Sequence, residues 1–182
     1  MAGRVARSHL TPWRKLVTTY MVETLDTPDG PFTVVENADG AVVASAWSDD
    51  VVVVAARAGL APSDLAPGAC RASAAVRAFY AGDAAAPAGV PVAQGGTDFQ
   101  TAVWTALRDI PPGEVRRYGE LAAALGSPGA SRAVGAACGR NAIALFVPCH
   151  RVVGASGALT GFAWGVDVKR SVLTREGVKM PA

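Results

Sequence analysis

"TDFQTAVWTALRDIPPGEVRRYGELAAALGSPGASRAVGAACGRN", residues 97–141, carries three helix signals with two breaks between them. Thr97 and Gln100 stand in capping-box spacing, and Phe99, Val103, Leu107 and Ile110 recur on one helical face. "PPG" at 111–113 ends that helix, since proline has no amide proton to continue the ladder. "YGELAAALG" reads as a second, short helix, "SPGAS" as a tight turn, and "SRAVGAACGRN" as a third helix. Two short helices joined by such a turn fit a helix-turn-helix or an ordinary helical hairpin, and spacing alone does not separate the two.

The third helix is unusually bare. Ala133, Gly135, Ala136 and Ala137 leave little side chain between Arg132 and Arg140. A helix that reads base edges carries Asn, Gln or several Arg. A bare helix approaches a nucleic-acid backbone closely instead, with arginines supplying phosphate contacts or a wedge. The same surface would equally suit packing against another helix.

Upstream of Gly95-Gly96 the pattern is different. "YMVETLDTP" and "FTVVE" flank Asp29-Gly30 as a β-hairpin. "AVVASAW" makes a third strand, the apolar run "VVVVAA" follows, and "GACRASAAVRAFYAGD" places Ala72, Val76, Phe79 and Tyr80 at helical spacing. "VPVA" near residue 91 reads as a last strand. Residues 21–95 therefore form a small α/β supporting unit whose acids look like surface, and residues 96–182 form a second unit. Residues 1–20 are an extension of unknown role, and Met21 is an alternative start because patterned sequence begins there.

The chain has 182 residues, 51% hydrophobic and 18% charged, which is a globular composition. No segment approaches the ~18 uninterrupted apolar residues of a membrane span. His9, Pro12 and Trp13 fall where a signal peptide needs its apolar stretch, so a cytoplasmic protein with no membrane contact is expected. Residues 21–96 hold nine acids and three bases, net −6; residues 97–182 hold six acids and ten bases, net +4. A basic second half suits a polyanionic partner such as nucleic acid, and it equally suits a solvated mixed-charge face. Cys70, Cys138 and Cys149 are an odd, widely spaced set with no CxxC pair, and the chain has only two histidines. That spacing offers neither the close ligand pairs of a zinc site nor a disulfide framework, and no metal is expected.

"LFVPCHRVVG", residues 145–154, sets a thiol beside an imidazole inside an apolar run. Pro148 biases Val147 toward extended backbone, so Cys149 is expected to follow a short strand, "IALFV". A thiol attacks as thiolate, and nearby positive charge or a base supplies that form. His150 is the available base, reached through a water because adjacent side chains of extended chain diverge. Glu176, at the end of a last helix "VDVKRSVLTRE", is the candidate to orient it. A buried cysteine is otherwise a packing residue; the Pro, His and Arg around Cys149 favour the nucleophile.

"VPCHRVV" (147–153) resembles the active-site signature of the methylated-DNA–protein-cysteine S-methyltransferases, or O6-alkylguanine-DNA alkyltransferases. The resemblance runs in order from Gly96 to Arg170. "SRAV…AACGRN" and "GFAWGVDVKR" are most similar to the alkyltransferase domain of the bacterial adaptive-response protein. Residues 21–95 match the family only at "TPDGPFTVV" and "AFYAGD". The resemblance implies an α+β fold, with a small ribonuclease-H-like N-terminal domain and a mainly helical, winged-helix-like C-terminal domain containing a helix-turn-helix. It implies direct-reversal DNA repair: an O6-alkylguanine is flipped from duplex DNA and its alkyl group passes irreversibly to Cys149. His150 would draw the thiol proton through a water, with Glu176 orienting the ring. Asn141 would tie the cysteine turn to the helix pair, and Tyr118 would help protonate the departing guanine. Arg132 would fill the gap in the base stack, and Ala133, Gly135, Ala136 and Arg140 would belong to the DNA-facing helix. Phe162, in the wall and lid "GASGALTGFAWG", would meet the base, and Lys169 would stand near the pocket.

Two departures are visible. Ala163 stands where some members have a serine that bonds the alkylated oxygen, so backbone amides must serve. Trp164 crowds the same segment and is expected to narrow tolerance for groups larger than methyl. No cofactor is expected, the partner is double-stranded DNA carrying O6-alkylguanine, and the protein is expected to be a monomer. A non-enzymatic lesion-binding protein on the same fold and a Cys-His hydrolase are the alternatives; the first lacks an acceptor thiol, and the second cycles where a suicide acceptor stops.

Overall fold

The computed structural model describes residues 19–179; the extension, apart from Thr19 and Tyr20, lies outside them. β1 (Tyr20–Thr27) and β2 (Gly30–Glu36) pair antiparallel, with Thr27 opposite Gly30. Gly30 closes the hairpin at φ 103°, a conformation that only glycine adopts freely. β3 (Val42–Ala46) pairs antiparallel with β2, and the short β4 (Leu65–Pro67) pairs parallel with β1, giving the order β3-β2-β1-β4. The apolar run after β3 is helix α1 (Val51–Ala56), started by the Asp50 side chain accepting from Val53 N. α2 (Ser73–Tyr80) buries Val76 and Phe79 as the spacing predicts.

Two expected strands are not strands. "VPVA" makes only an isolated bridge, Val92 to Val42. "IALFV" is an irregular buried segment: Ile143 bridges Ser45, and Leu145 turns back at φ 71°. Side-chain and main-chain bonds from β3 hold it, through Ser45 Oγ to Ala144 O at 2.7 Å and Ala144 N to Ser45 O at 3.0 Å. Its apolar residues are buried on every side, so their run carries no strand alternation. The acids before Gly95 are also not all surface. Glu36 is buried and accepts from the backbone amides of Arg71 and Ala72, just ahead of α2, where negative charge suits the free amides of a helix start.

α3 (Asp98–Arg108) begins with the expected reciprocal cap, Gln100 N to Thr97 Oγ1 at 3.3 Å and Thr97 N to Gln100 Oε1 at 3.0 Å. α4 (Tyr118–Ala124) and α5 (Ser131–Gly139) pack on each other across the turn 125–130. β5 (Arg116–Arg117) and β6 (Val152–Val153) form a two-residue parallel pair beside them. α6 (Val166–Arg175) is the last element among the described residues. One main cluster of buried side chains takes Phe32, Val76 and Phe79 from before Gly95, and Val103, Leu107 and Phe146 from after it. The two halves thus share a hydrophobic core, and residues of the first half reach the second half's chemistry.

Candidate active site

Cys149 opens a 3₁₀ turn, Cys149–Arg151, instead of following a strand. The tight turn is held by Arg151 N to Pro148 O at 3.0 Å. It sends three successive side chains to different places. Cys149 is half-buried and faces a cavity of ≈ 540 Å³. His150 is fully buried. Arg151 is buried and folds back on Glu176, the residue that caps α6.

The carboxylate of Glu176 accepts from His150 Nε2 at 2.9 Å, from Arg151 Nη2 at 2.7 Å and from Arg151 Nε at 3.0 Å. Arg151 Nη1 donates onward to Ile110 O. Burial alone would raise the Glu176 pKa, but these bonds and the neighbouring positive charge hold it below the usual carboxylate value. A carboxylate at Oε1 requires the proton on Nε2, which leaves Nδ1 of a neutral ring as the acceptor. Nδ1 is buried and meets no protein partner among the described residues. Burial pushes the imidazole below its ordinary value against the pull of Glu176, so the ring is neutral at pH 7 and competent as a base.

Asn141 follows Arg140, the residue that caps α5. Its Nδ2 donates to Val147 O at 2.8 Å and to Cys149 Sγ at 3.3 Å, and its Oδ1 accepts from Ile143 N at 3.0 Å. This side chain therefore binds both ends of the irregular segment and touches the thiol. Burial raises the thiol pKa, opposed by the Asn141 bond and then by the charges of Lys169 and Arg57. The sulfur is held protonated until a base takes its proton.

Tyr118, the first residue of α4, shares the cavity with Cys149 and Cys138. Burial, followed by the two neighbouring thiols, raises its pKa, so the phenol is a donor at neutral pH. Gly135 on α5 faces the Tyr118 ring, where a Cβ would stand at 3.8 Å, an ordinary van der Waals distance. Arg132, Ala133, Ala136 and Arg140 are exposed along α5, Arg132 on the side of a shallow hollow shared with Tyr118 and Ser131. Phe162 lines the cavity and packs on Trp47 at 5.8 Å. Lys169 is fully buried and donates to Val152 O at 2.6 Å and Thr160 O at 3.1 Å, strapping the wall segment from beneath rather than facing outward. No three His, Cys, Asp or Glu side chains among the described residues come together as a metal site.

Two participants were not legible as such. Arg151 reads in sequence as a cation for the thiol, whereas its guanidinium is spent on Glu176. Arg57, from the half read as support, lines the cavity beside Cys149. No local signal marks it, since its partners Gly139 and Asn141 lie more than eighty residues away.

These elements define a class: a cavity-facing thiol backed by a buried imidazole–carboxylate pair, beside a bare, arginine-flanked helix. Residues 98–178 match the family model described as the 6-O-methylguanine DNA methyltransferase, DNA binding domain. A methylated-DNA–protein-cysteine methyltransferase of Methanosarcina acetivorans is 53% identical over 102 residues, covering 56% of this chain and 65% of that protein. One from Salmonella typhimurium is 56% identical over 99 residues, covering 54% and 58%. The chain thus spans somewhat less than two thirds of the length of these relatives. The structure of Mycobacterium tuberculosis OGT in complex with DNA superposes with a TM-score of 0.72 at 38% identity, covering 86% of this chain and 93% of that one. The O6-methylguanine-DNA methyltransferase of Pyrococcus kodakaraensis gives 0.65 at 26% identity, covering 88% and 100%. The chain belongs to the methylated-DNA–protein-cysteine methyltransferase family.

Proposed function

We propose that this protein repairs DNA by direct reversal, taking the alkyl group of an O6-alkylguanine in duplex DNA onto Cys149 in one irreversible turnover. The observation that carries this is the alignment behind the thiol: Asn141 donating to Sγ, a buried neutral His150 whose Nδ1 has no partner among the described residues, and Glu176 fixing its tautomer.

In the step, an S–C bond forms on Cys149 as the C–O6 bond breaks. The thiol proton leaves toward His150 Nδ1, by way of a water where the two do not touch. The electron pair returns to the purine, and a proton donated by Tyr118 neutralises it, because guanine is a poor leaving group as an anion. The base must leave the duplex to enter the cavity, at a cost of a few kcal/mol in unstacking. Exposed Arg132 fills the gap, and the bare face of α5 lies against the backbone with Arg140 at its end. No side-chain hydroxyl at Ala163 meets O6, so backbone amides of the 160–165 segment serve. The thioether product resists water, and the reaction stops at one equivalent without a cofactor.

The finer architecture is read in the same spirit. The mixed order β3-β2-β1-β4 supports a ribonuclease-H-like N-terminal domain over 21–95. The α4–turn–α5 pair flanked by β5 and β6 supports a winged-helix-like, DNA-binding domain over 96–182 with a helix-turn-helix. One chain supplies the whole constellation, which supports a monomer. Three free thiols suit the reducing cytoplasm.

Mass spectrometry after mixing with an O6-methylguanine oligonucleotide tests the function. The tryptic peptide Asn141–Arg151 holds Cys149 and no other cysteine. One added methyl there, saturating at one equivalent, is the expected result. Tight binding without transfer would make the protein a lesion reader instead.

A further inference from the structure

Two of the three aromatic residues that line the cavity, Phe162 and Trp164, lean on the N-terminal half. Phe162 packs on Trp47, and the Arg57 guanidinium lies 5.1 Å over the Trp164 ring. Arg57 Nη2 also donates to Gly139 O and Asn141 O, each at 2.9 Å. Those carbonyls sit at the C-terminal end of α5, where the helix dipole favours a cation. Asn141 is the residue that bonds the thiol. One guanidinium, just past α1, therefore touches both walls of the cavity that holds Cys149.

The wall it holds has few other restraints. Gly161 and Gly165 bracket the aromatic pair at φ 46° and 96°, and neither has an atom within 4 Å of where a Cβ would stand. Behind them the segment is fixed by Gly165 N to Phe162 O at 3.1 Å and by Lys169 at Thr160 O. Trp164 itself is half-buried, packed against the edge of the main cluster and of a smaller one that includes Val22, Val35 and Val54.

We infer that Arg57 is a positioning residue which, by clamping Trp164 against the end of α5, sets the width of the cavity and so the size of the group that reaches Cys149. The biological meaning, an alkyl-size limit imposed by the N-terminal half, rests on the alkyl-acceptor function proposed above. Lysine at 57 would keep the charge over the ring but not the planar fork that holds two carbonyls together.

Thiol labelling tests the clamp without calling on alkyl transfer. Iodoacetamide and N-benzyl-iodoacetamide both alkylate a cysteine, and peptide Asn141–Arg151 reports Cys149 alone. In Arg57→Gln the benzyl-to-small rate ratio is expected to rise about threefold or more, the loss of one cation–π contact. Arg57→Lys should fall between. Trp164→Ala should raise the same ratio, and adding Arg57→Gln to it should change nothing further. If Arg57→Gln fails to fold, Trp164→Phe keeps a ring, weakens the cation contact, and should still raise the ratio. A flat ratio, or equal acceleration of both reagents, overturns the inference. A shifted ratio in a protein that never accepts methyl from DNA would sink the repair function and leave the clamp standing; intact transfer with a flat ratio would do the reverse.

Discussion

Glu176 takes the Nε2–H of His150 at 2.9 Å while Arg151 grips the same carboxylate with two nitrogens. A single acid thus sets the tautomer of the base and neutralises a buried guanidinium. Glu176→Gln keeps the shape but supplies an amide that can present either face to the imidazole, and it leaves Arg151 without a counter-charge. Breaking a buried pair costs ~3–5 kcal/mol, and losing an oriented base costs about 10²-fold or more in rate. Both a lower melting temperature and slower methyl transfer are expected, read by calorimetry and by single-turnover labelling of Cys149. Full-rate transfer in Glu176→Gln would remove the orienting role.

The same pair shapes the acid limb of stability. Burial lowers the His150 pKa from its ordinary 6.5, so below that pH the unfolded chain takes up a proton that the folded chain refuses. Stability is full above pH 6.5 and falls as pH drops beneath it. Glu176, held below its ordinary 4.5 by its partners, contributes stability that is present above that value and lost as pH falls through the folded pKa. Melting temperature should therefore decline in two stages, beginning near pH 6.5. His150→Asn should erase the first stage. A wild-type melting temperature that stays flat down to pH 5 would contradict the buried, neutral imidazole.

The sequence revealed local order better than assembly. The Thr97–Gln100 cap, the Asp29-Gly30 hairpin and the Phe99–Ile110 stripe depend on neighbours a few residues away, and each forms where its pattern stands. The 143–147 run did not become a strand, because the bonds from Ser45 and Asn141 that shape it come from other elements. Cys149, His150 and Glu176 could be named from chemistry and family wording, but no pattern shows that Arg151 turns to Glu176 or that Arg57 reaches the cavity. The first joins residues 25 apart within the second half, and the second joins residues 84 apart that meet only because the two halves share a core.

Arg132 is exposed on α5, while Cys149 lies in the cavity behind. A residue that fills the gap left by an extruded base acts only when there is a stack to fill. Arg132→Ala should slow repair of an O6-methylguanine duplex by about tenfold or more, set by the few kcal/mol of unstacking. Reaction with free O6-benzylguanine should change less than about twofold. Parallel rate measurements on the two substrates decide it, and equal losses would place Arg132 outside the extrusion step.

Tyr118 stands in the cavity with its hydroxyl kept protonated by burial and by the thiols of Cys138 and Cys149. A phenol so placed donates at neutral pH and has no charge to offer phosphate. Its removal should therefore divide binding from chemistry. Tyr118→Phe keeps the ring that meets Gly135, so DNA affinity by fluorescence anisotropy should hold within about twofold, there being no phosphate contact to lose. Transfer should slow by about 10- to 100-fold, at the lower end for general acid catalysis. Unchanged transfer would assign protonation of the guanine to another donor, and a matching loss of affinity would make Tyr118 a binding residue instead.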